Sequence, residues 1–297
     1  MRVFVTGATG FIGEAIVREL REAGHEVTGL ARSDAAAETL ARWGAGAHRG
    51  ELADLESLAA GARASEGVIH AAFIHDFSDY AGNGETDRRA VEAMGAALAG
   101  TDRPLVVTSG TTVVVPGRPV TEEDAGDPSS PGAPRVASEE AVLAMAQRGV
   151  RGSVVRLPPS VHGAGDHAFI PALIEVARRT GVSAHVGDGA NRWPAVHRLD
   201  AARLFRLALE KAEPGTRLHG VGEEGVALRD IARTIGEGLG VPVRSIRADE
   251  AQAHFGWLGG FASLDVPASS AITRRAVGWD PRGPDLLTDM RENGYFA

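Results

Sequence analysis

The chain has 297 residues, enough for one large α/β domain or for a nucleotide-binding core with a smaller lobe. A net charge of −8 argues against nucleic acid or anionic membrane as main partner, since both need a concentrated basic surface. With no cysteine, disulfides, thiolate zinc sites and a cysteine nucleophile are excluded.

In chain order, short β-rich runs alternate with helical stretches, the pattern of a parallel sheet with crossover helices. Strands are predicted at Val3 to Thr6, Glu26 to Leu30, Ala45 to His48, Val68 to Ala71, Leu105 to Thr108 and Ser153 to Leu157. Ile12, Ile16, Val17 and Leu20 form a helical stripe that Gly24 ends. Asp54 caps a helix carrying Leu55 and Leu58, and Thr86 caps one carrying Val91, Met94 and Leu98. Pro116 to Pro134 reads as a long surface loop, and Ser138 to Arg148 as a helix stopped by Gly149. Further on, Phe169 to Arg179 is a helix, and Val186 to Ala190 is a glycine-rich loop before an extended Trp193 to Leu199. Asp200 caps Ala201 to Lys211, Leu218 to Val221 is a last strand, and Leu228, Ile231, Ile235 and Leu239 line one helix face. His254 to Phe261 reads as a packed loop or an aromatic flap. The expected fold is therefore a Rossmann doubly wound parallel sheet at residues 1–157, with a smaller substrate lobe at 158–297. That lobe is interleaved with a return to the sheet near 194–222. Neither a leader-like start nor an apolar run near the roughly 18 residues of a membrane span is present, so a cytoplasmic protein is expected.

Val3 to Gly13 reads as strand, glycine turn and helix start. Gly7 permits the tight turn, Gly10 lets backbone approach a pyrophosphate, and Gly13 allows close helix–sheet packing, with Thr9, Phe11 and Ile12 between them. At the end of the second strand an NAD site carries an acidic residue. Here Arg32 and Ser33 stand instead, a guanidinium and a hydroxyl suited to a 2′-phosphate, so the expected cofactor is NADP(H).

These motifs resemble the short-chain dehydrogenase/reductase superfamily, in its extended or atypical, epimerase/dehydratase-like branch. Thr6 to Gly13 is close to the extended-type glycine motif, and Gly50-Glu51-Leu52 resembles the segment that contacts adenine. His70-Ala71-Ala72, followed by Phe73, resembles the tripeptide beside the nicotinamide ribose. Val106 to Thr111, including Thr108, is similar to the hydroxyl-rich end of the fifth strand. Arg156 to Gly163, with Pro158, Ser160 and Val161, is similar to the segment that closes over the nicotinamide, and Val196 to Asp200 to an element of the second lobe. The resemblance also implies a homodimer through the helices around Val91 to Leu98 and Ser138 to Met145.

The family's catalytic pair is Tyr-x-x-x-Lys, and here the equivalent stretch is Arg135-Val136-Ala137-Ser138-Glu139. Lys211 is the only lysine, and Tyr80 and Tyr295 are the only tyrosines, so no such pair exists anywhere. Tyr80 is expected in a loop and Tyr295 near the C-terminus, neither in the position of the family tyrosine. Reduction of a carbonyl then needs other groups to bind or protonate the heteroatom. Ser109 and Thr111 stand at the carboxyl end of a central strand, or cap backbone there. His75 is a candidate proton donor whose neighbour Asp76 would raise its pKa. Arg135 would polarise a carbonyl, or form an i,i+4 ion pair with Glu139. His162, Trp193 and His197 border the substrate pocket or pack beneath it. The ten histidines show no metal-ligand spacing, so no metal is expected.

Two functions follow from these residues: an NADPH-dependent reductase of a small carbonyl, imine or activated alkene, or a non-catalytic NADP(H) sensor. A nucleotide-sugar epimerase or dehydratase ranks third, because that chemistry leans on the missing tyrosine.

Overall fold

The computed structural model describes residues 1–114 and 117–297; Val115 and Pro116, where the predicted surface loop begins, lie outside the described residues. In chain order the strands are β1 (Arg2–Thr6), β2 (Glu26–Ala31), β3 (Gly46–Arg49), β4 (Gly67–His70), β5 (Pro104–Gly110), β6 (Arg151–Leu157), β7 (Ser160–His162), β8 (Ser183–Val186), β9 (Arg192–His197), β10 (Thr216–His219), β11 (Glu223–Ala227) and β12 (Val243–Ile246). The helices are α1 (Phe11–Glu22), α2 (Asp34–Arg42), α3 (Leu55–Arg63), α4 (Tyr80–Leu98), α5 (Val136–Ala144), α6 (Phe169–Thr180), α7 (Arg198–Lys211), α8 (Leu228–Leu239), α9 (Ala251–Phe255), α10 (Gly259–Ala262), α11 (Ala271–Val277) and α12 (Leu286–Glu292).

Seven strands form one parallel sheet in the order β10-β6-β5-β4-β1-β2-β3. Its residues alternate between two buried layers. Val3, Val5, Val106 and Val155 pack with Ile16 and Leu20 of α1 and Leu204 of α7, whereas Phe4, Leu105, Val107 and Val154 pack with Leu58 of α3, Met94 of α4 and Val142 of α5. A strand buried on both sides cannot alternate apolar with polar, which explains the continuous apolar runs in the sequence. The strand order reverses between β1 and β4, so their carboxyl ends open the crevice where doubly wound sheets bind ligands. The second lobe has its own core around Ile174, Trp193, Ile231, Phe255 and Leu286, with a three-stranded sheet β11-β9-β7 and the pair β12-β8.

Several elements differ from expectation. Helix α4 begins at Tyr80 rather than at Thr86, because Asp79 caps it by accepting from Gly82 N–H at 3.1 Å. Its glycine-rich first turns hide a helix from periodicity, but Gly84 is needed there, since a Cβ would lie 2.4 Å from the Pro134 carbonyl. Val91, Met94 and Leu98 are buried against this chain's own core. Helix α7 is capped by His197, not by Asp200. Asp200 is instead buried and accepts the backbone N–H groups of Arg282 and Gly283 at 3.0 and 2.6 Å. The stretch before Pro134 is anchored rather than loose: Val120 is buried, and Glu122 accepts from Thr273 N–H at 2.6 Å. The segment His254 to Phe261 is packed through Phe255 and Leu258, leaving Trp257 55% exposed.

Candidate active site at the sheet switch point

The glycine turn between β1 and α1 is built without side chains because there is no room for them. Gly7 has φ +67°, and a Cβ on Gly13 would lie 1.9 Å from the Gly7 carbonyl. Gly10 caps α1 with its N–H donating to Gly7 O at 2.9 Å, and Thr9 and Gly10 are exposed. The first-turn N–H groups of α1 have no intrahelical partner and favour an anion. This cradle fits the pyrophosphate of a dinucleotide. Phe11 and Ile12 are half-buried behind it, and the Arg198 guanidinium lies 4.9 Å from the Phe11 ring centroid.

At the end of β2, Arg32 is exposed and forms no ion pair among the described residues. Ser33 caps α2 by accepting from Ala36 N–H at 3.2 Å, which leaves its hydroxyl proton available. Glu51 is exposed beyond β3 and Leu52 half-buried. Across the crevice, Ala71 and Ala72 donate to the Thr6 carbonyl and Thr6 Oγ1 at 3.2 and 3.3 Å, pinning the two strand ends together. Pro158, Ser160 and Val161 are buried beside β6, and Ser160 Oγ has no hydrogen-bond partner.

The hydroxyls of Ser109 and Thr111 are buried at the carboxyl end of β5, and neither has a partner. Their alternative role as backbone caps is thus not what the structure shows. Arg135 does not pair with Glu139. It donates to the Thr108 carbonyl, its Nε lies 3.6 Å from Asp87 Oδ2, and its guanidinium sits 4.0 Å from the Phe73 ring centroid. Glu139 turns the other way and holds the fully buried Arg156 through two bonds of 2.9 and 2.6 Å. The two side chains take different buried partners: Arg135 reaches β5 and Asp87 of α4, whereas Glu139 reaches Arg156 of β6. Glu139, which the resemblance sets in the place of the family lysine, therefore carries a buried ion pair.

His75 packs edge-on against Phe73 at 5.2 Å. Although His75 is exposed at its surface, partial desolvation and then the nearby Arg135 charge lower its pKa, the opposite of the expected rise. Asp76 does not raise it, being engaged by Ser78 N–H and Oγ at 2.9 and 2.6 Å. Tyr80, expected in a loop, opens α4 and packs edge-on against the same Phe73 ring at 5.7 Å.

A buried chain that sequence reasoning missed ties these parts together. Ala72 N–H donates to Thr6 Oγ1, which is also hydrogen-bonded to His70 Nδ1 at 2.7 Å. His70 Nε2 then donates to Asp87 Oδ1 at 3.0 Å, which sets the tautomer of the ring. Burial works against an ionised Asp87, but Arg135, His70 and Ser138 outweigh it and hold its carboxyl below the usual range. The glycine turn is thereby linked to Arg135 through fully buried groups. The available signal was Asp87 itself, an acid in register with the buried stripe of Val91, Met94 and Leu98.

In the second lobe, His162 donates Nδ1–H to Asp289 at 2.8 Å, and His197 stacks edge-on to it at 5.5 Å. Both line a polar cavity of about 270 Å³ with Glu223 and Arg274. Trp193 is buried in the lobe core against Phe169, at 5.6 Å between rings. Tyr295 is bonded to Gly163 N–H at 3.1 Å and Asp166 at 3.0 Å.

The sequence of this chain matches the family model described as "NAD dependent epimerase/dehydratase family" over residues 3–219. An uncharacterized protein of Schizosaccharomyces pombe is 50% identical over 296 residues, covering 100% of both chains. A 2-alkyl-3-oxoalkanoate reductase of Stenotrophomonas maltophilia is 33% identical over 231 residues, covering 74% of this chain and 68% of that one. A solved structure of a dTDP-glucose 4,6-dehydratase double mutant from Streptomyces venezuelae, with NAD bound, superposes with a TM-score of 0.78 at 23% identity, covering 99% of this chain and 98% of that one.

Proposed function

Since the chain belongs to the NAD-dependent epimerase/dehydratase family, we propose that it is an NADPH-dependent reductase of a small carbonyl, imine or activated alkene. The observation that carries this reading is the pair of buried, unpartnered hydroxyls, Ser109 and Thr111, at the carboxyl end of the strand whose Thr108 carbonyl accepts from Arg135. Donors left unsatisfied in a buried site await a ligand atom, because leaving them so costs free energy. The reductase name of the Stenotrophomonas relative supports a ketone among the candidate substrates.

When bound, NADPH supplies a hydride. Gly7, Gly10, Gly13 and the α1 N-terminus would hold the pyrophosphate, Arg32 and Ser33 the 2′-phosphate, and Ala71 to Phe73 would lie on the nicotinamide side. Ser109 and Thr111 donate hydrogen bonds to the substrate oxygen, and Arg135 supplies a fixed positive charge that stabilises developing alkoxide. A panel of ketones, imines and enones, followed at the NADPH absorbance, tests the reading. Ser109→Ala or Thr111→Val should each lower kcat about 10²–10³-fold with little change in NADPH affinity. Tight NADPH binding with no consumption across the panel would support the sensor instead.

Cofactor choice is tested separately. An exposed guanidinium without a protein partner is free to bind a phosphate. NADPH should therefore bind at least about tenfold more tightly than NADH, roughly 1.4 kcal/mol. Arg32→Ala should remove that preference and leave NADH binding nearly unchanged. Equal affinities in the parent protein would overturn the assignment.

A further inference from the structure

We infer that Tyr80, standing with Arg135 and His75 around the Phe73 ring, is the proton donor of this site. The inference rests on the reductase reading and supplies what that reading lacks, an acid. Phe73 follows directly on Ala71-Ala72, whose N–H groups are bonded to Thr6 at the end of β1, beside the switch point of the sheet. The guanidinium of Arg135 covers the ring at 4.0 Å, and Tyr80 and His75 meet its edge at 5.7 and 5.2 Å. These side chains come from three separate segments: the turn after β4, the start of α4 and the residue before α5.

The other acids at hand do not serve. Arginine does not give up its proton in a protein. His75 is exposed, and desolvation and Arg135 lower its pKa, which disfavours the protonated form that would donate. Ser109 and Thr111 hydroxyls are far weaker acids than a phenol and have no base beside them. Tyr295 is occupied by Gly163 and Asp166, and burial pushes its hydroxyl far up. Tyr80 differs because it faces a cation. Burial is the larger influence and holds its pKa above the ordinary phenol value, Arg135 offsets part of that rise, and Asp87 adds to it. A cation beside the phenol stabilises the phenolate left after proton transfer.

The carbonyl carbon takes a hydride from NADPH, which leaves as NADP⁺, and the π pair of the C=O moves to oxygen. That oxygen forms its O–H bond with the Tyr80 proton while the Tyr80 O–H bond breaks, and solvent reprotonates the phenolate. Ser109 and Thr111 hold the oxygen throughout.

Because the chain has only two tyrosines, Tyr295→Phe leaves Tyr80 as the single titrating phenol, readable by alkaline absorbance without cofactor or substrate. In that background Arg135→Met should raise the Tyr80 midpoint by about one pH unit or more, whereas Arg135→Lys should keep it near the starting value. In turnover, Tyr80→Phe should lower kcat about 10²–10³-fold, leave the NADPH Kd unchanged and abolish the alkaline fall of kcat. Either a midpoint indifferent to Arg135→Met or a fully active Tyr80→Phe overturns the inference. A parent protein inert toward the whole panel denies the reductase reading instead, and the titration then still decides whether Tyr80 and Arg135 are coupled.

Discussion

Glu139→Ala should destabilise the folded chain by about 3–5 kcal/mol, the cost of leaving a buried charge without its partner. Arg156 is fully buried on β6, and Glu139 satisfies two of its nitrogens at 2.9 and 2.6 Å. A third nitrogen donates to the Asp124 carbonyl at 2.8 Å, so the pair also fastens the stretch before Pro134 to the sheet. Domains are stable by only about 5–15 kcal/mol, so this single change should move a denaturation midpoint substantially. The double variant Glu139→Leu with Arg156→Met should recover much of the loss, because it removes the unpaired charge along with the pair. Urea unfolding of the three proteins measures both effects. A Glu139→Ala variant within about 1 kcal/mol of the parent would refute this account of the position, since it would mean that Arg156 finds water or another partner.

Gly13→Ala should raise the NADPH Kd at least about 100-fold, some 2.7 kcal/mol. The added Cβ would lie 1.9 Å from the Gly7 carbonyl and 3.0 Å from the Ala8 Cα, all backbone atoms that no side-chain rotation can move aside. Either the glycine turn opens or α1 withdraws from β1, and in both cases the first-turn N–H groups leave the phosphate position. Gly24→Ala provides the contrast. That residue has φ +84° but nothing within 4 Å, so the change adds local backbone strain of about 1–2 kcal/mol without touching the turn. Titration of NADPH fluorescence, with thermal unfolding of both variants alongside, separates lost binding from lost fold. Parent-like NADPH affinity in Gly13→Ala would show that the turn is not the phosphate site.

What the sequence determined by itself was whatever depends on neighbours along the chain. The βαβ start, the glycine spacing from Gly7 to Gly13, the basic end of β2 and the alternation that makes a doubly wound sheet are all written within short windows. The absence of Tyr-x-x-x-Lys was equally plain, because a single lysine cannot be overlooked. Only the tertiary structure decided which partner each polar group takes. Arg135 and Glu139 are spaced for an i,i+4 pair, yet each finds a better desolvated partner elsewhere, Asp87 from α4 and Arg156 from β6. Spacing along a helix is worth a few tenths of a kcal/mol, whereas an unpaired buried charge costs several, so the distant partner wins. The same logic moved Asp200 from a helix cap to the backbone of Arg282 and Gly283, and placed Asp87 between His70 and Arg135. Tyr80 is the clearest case: its surroundings come from residues 73, 87 and 135. No local window contains all three, so the chain must fold before the phenol meets its cation.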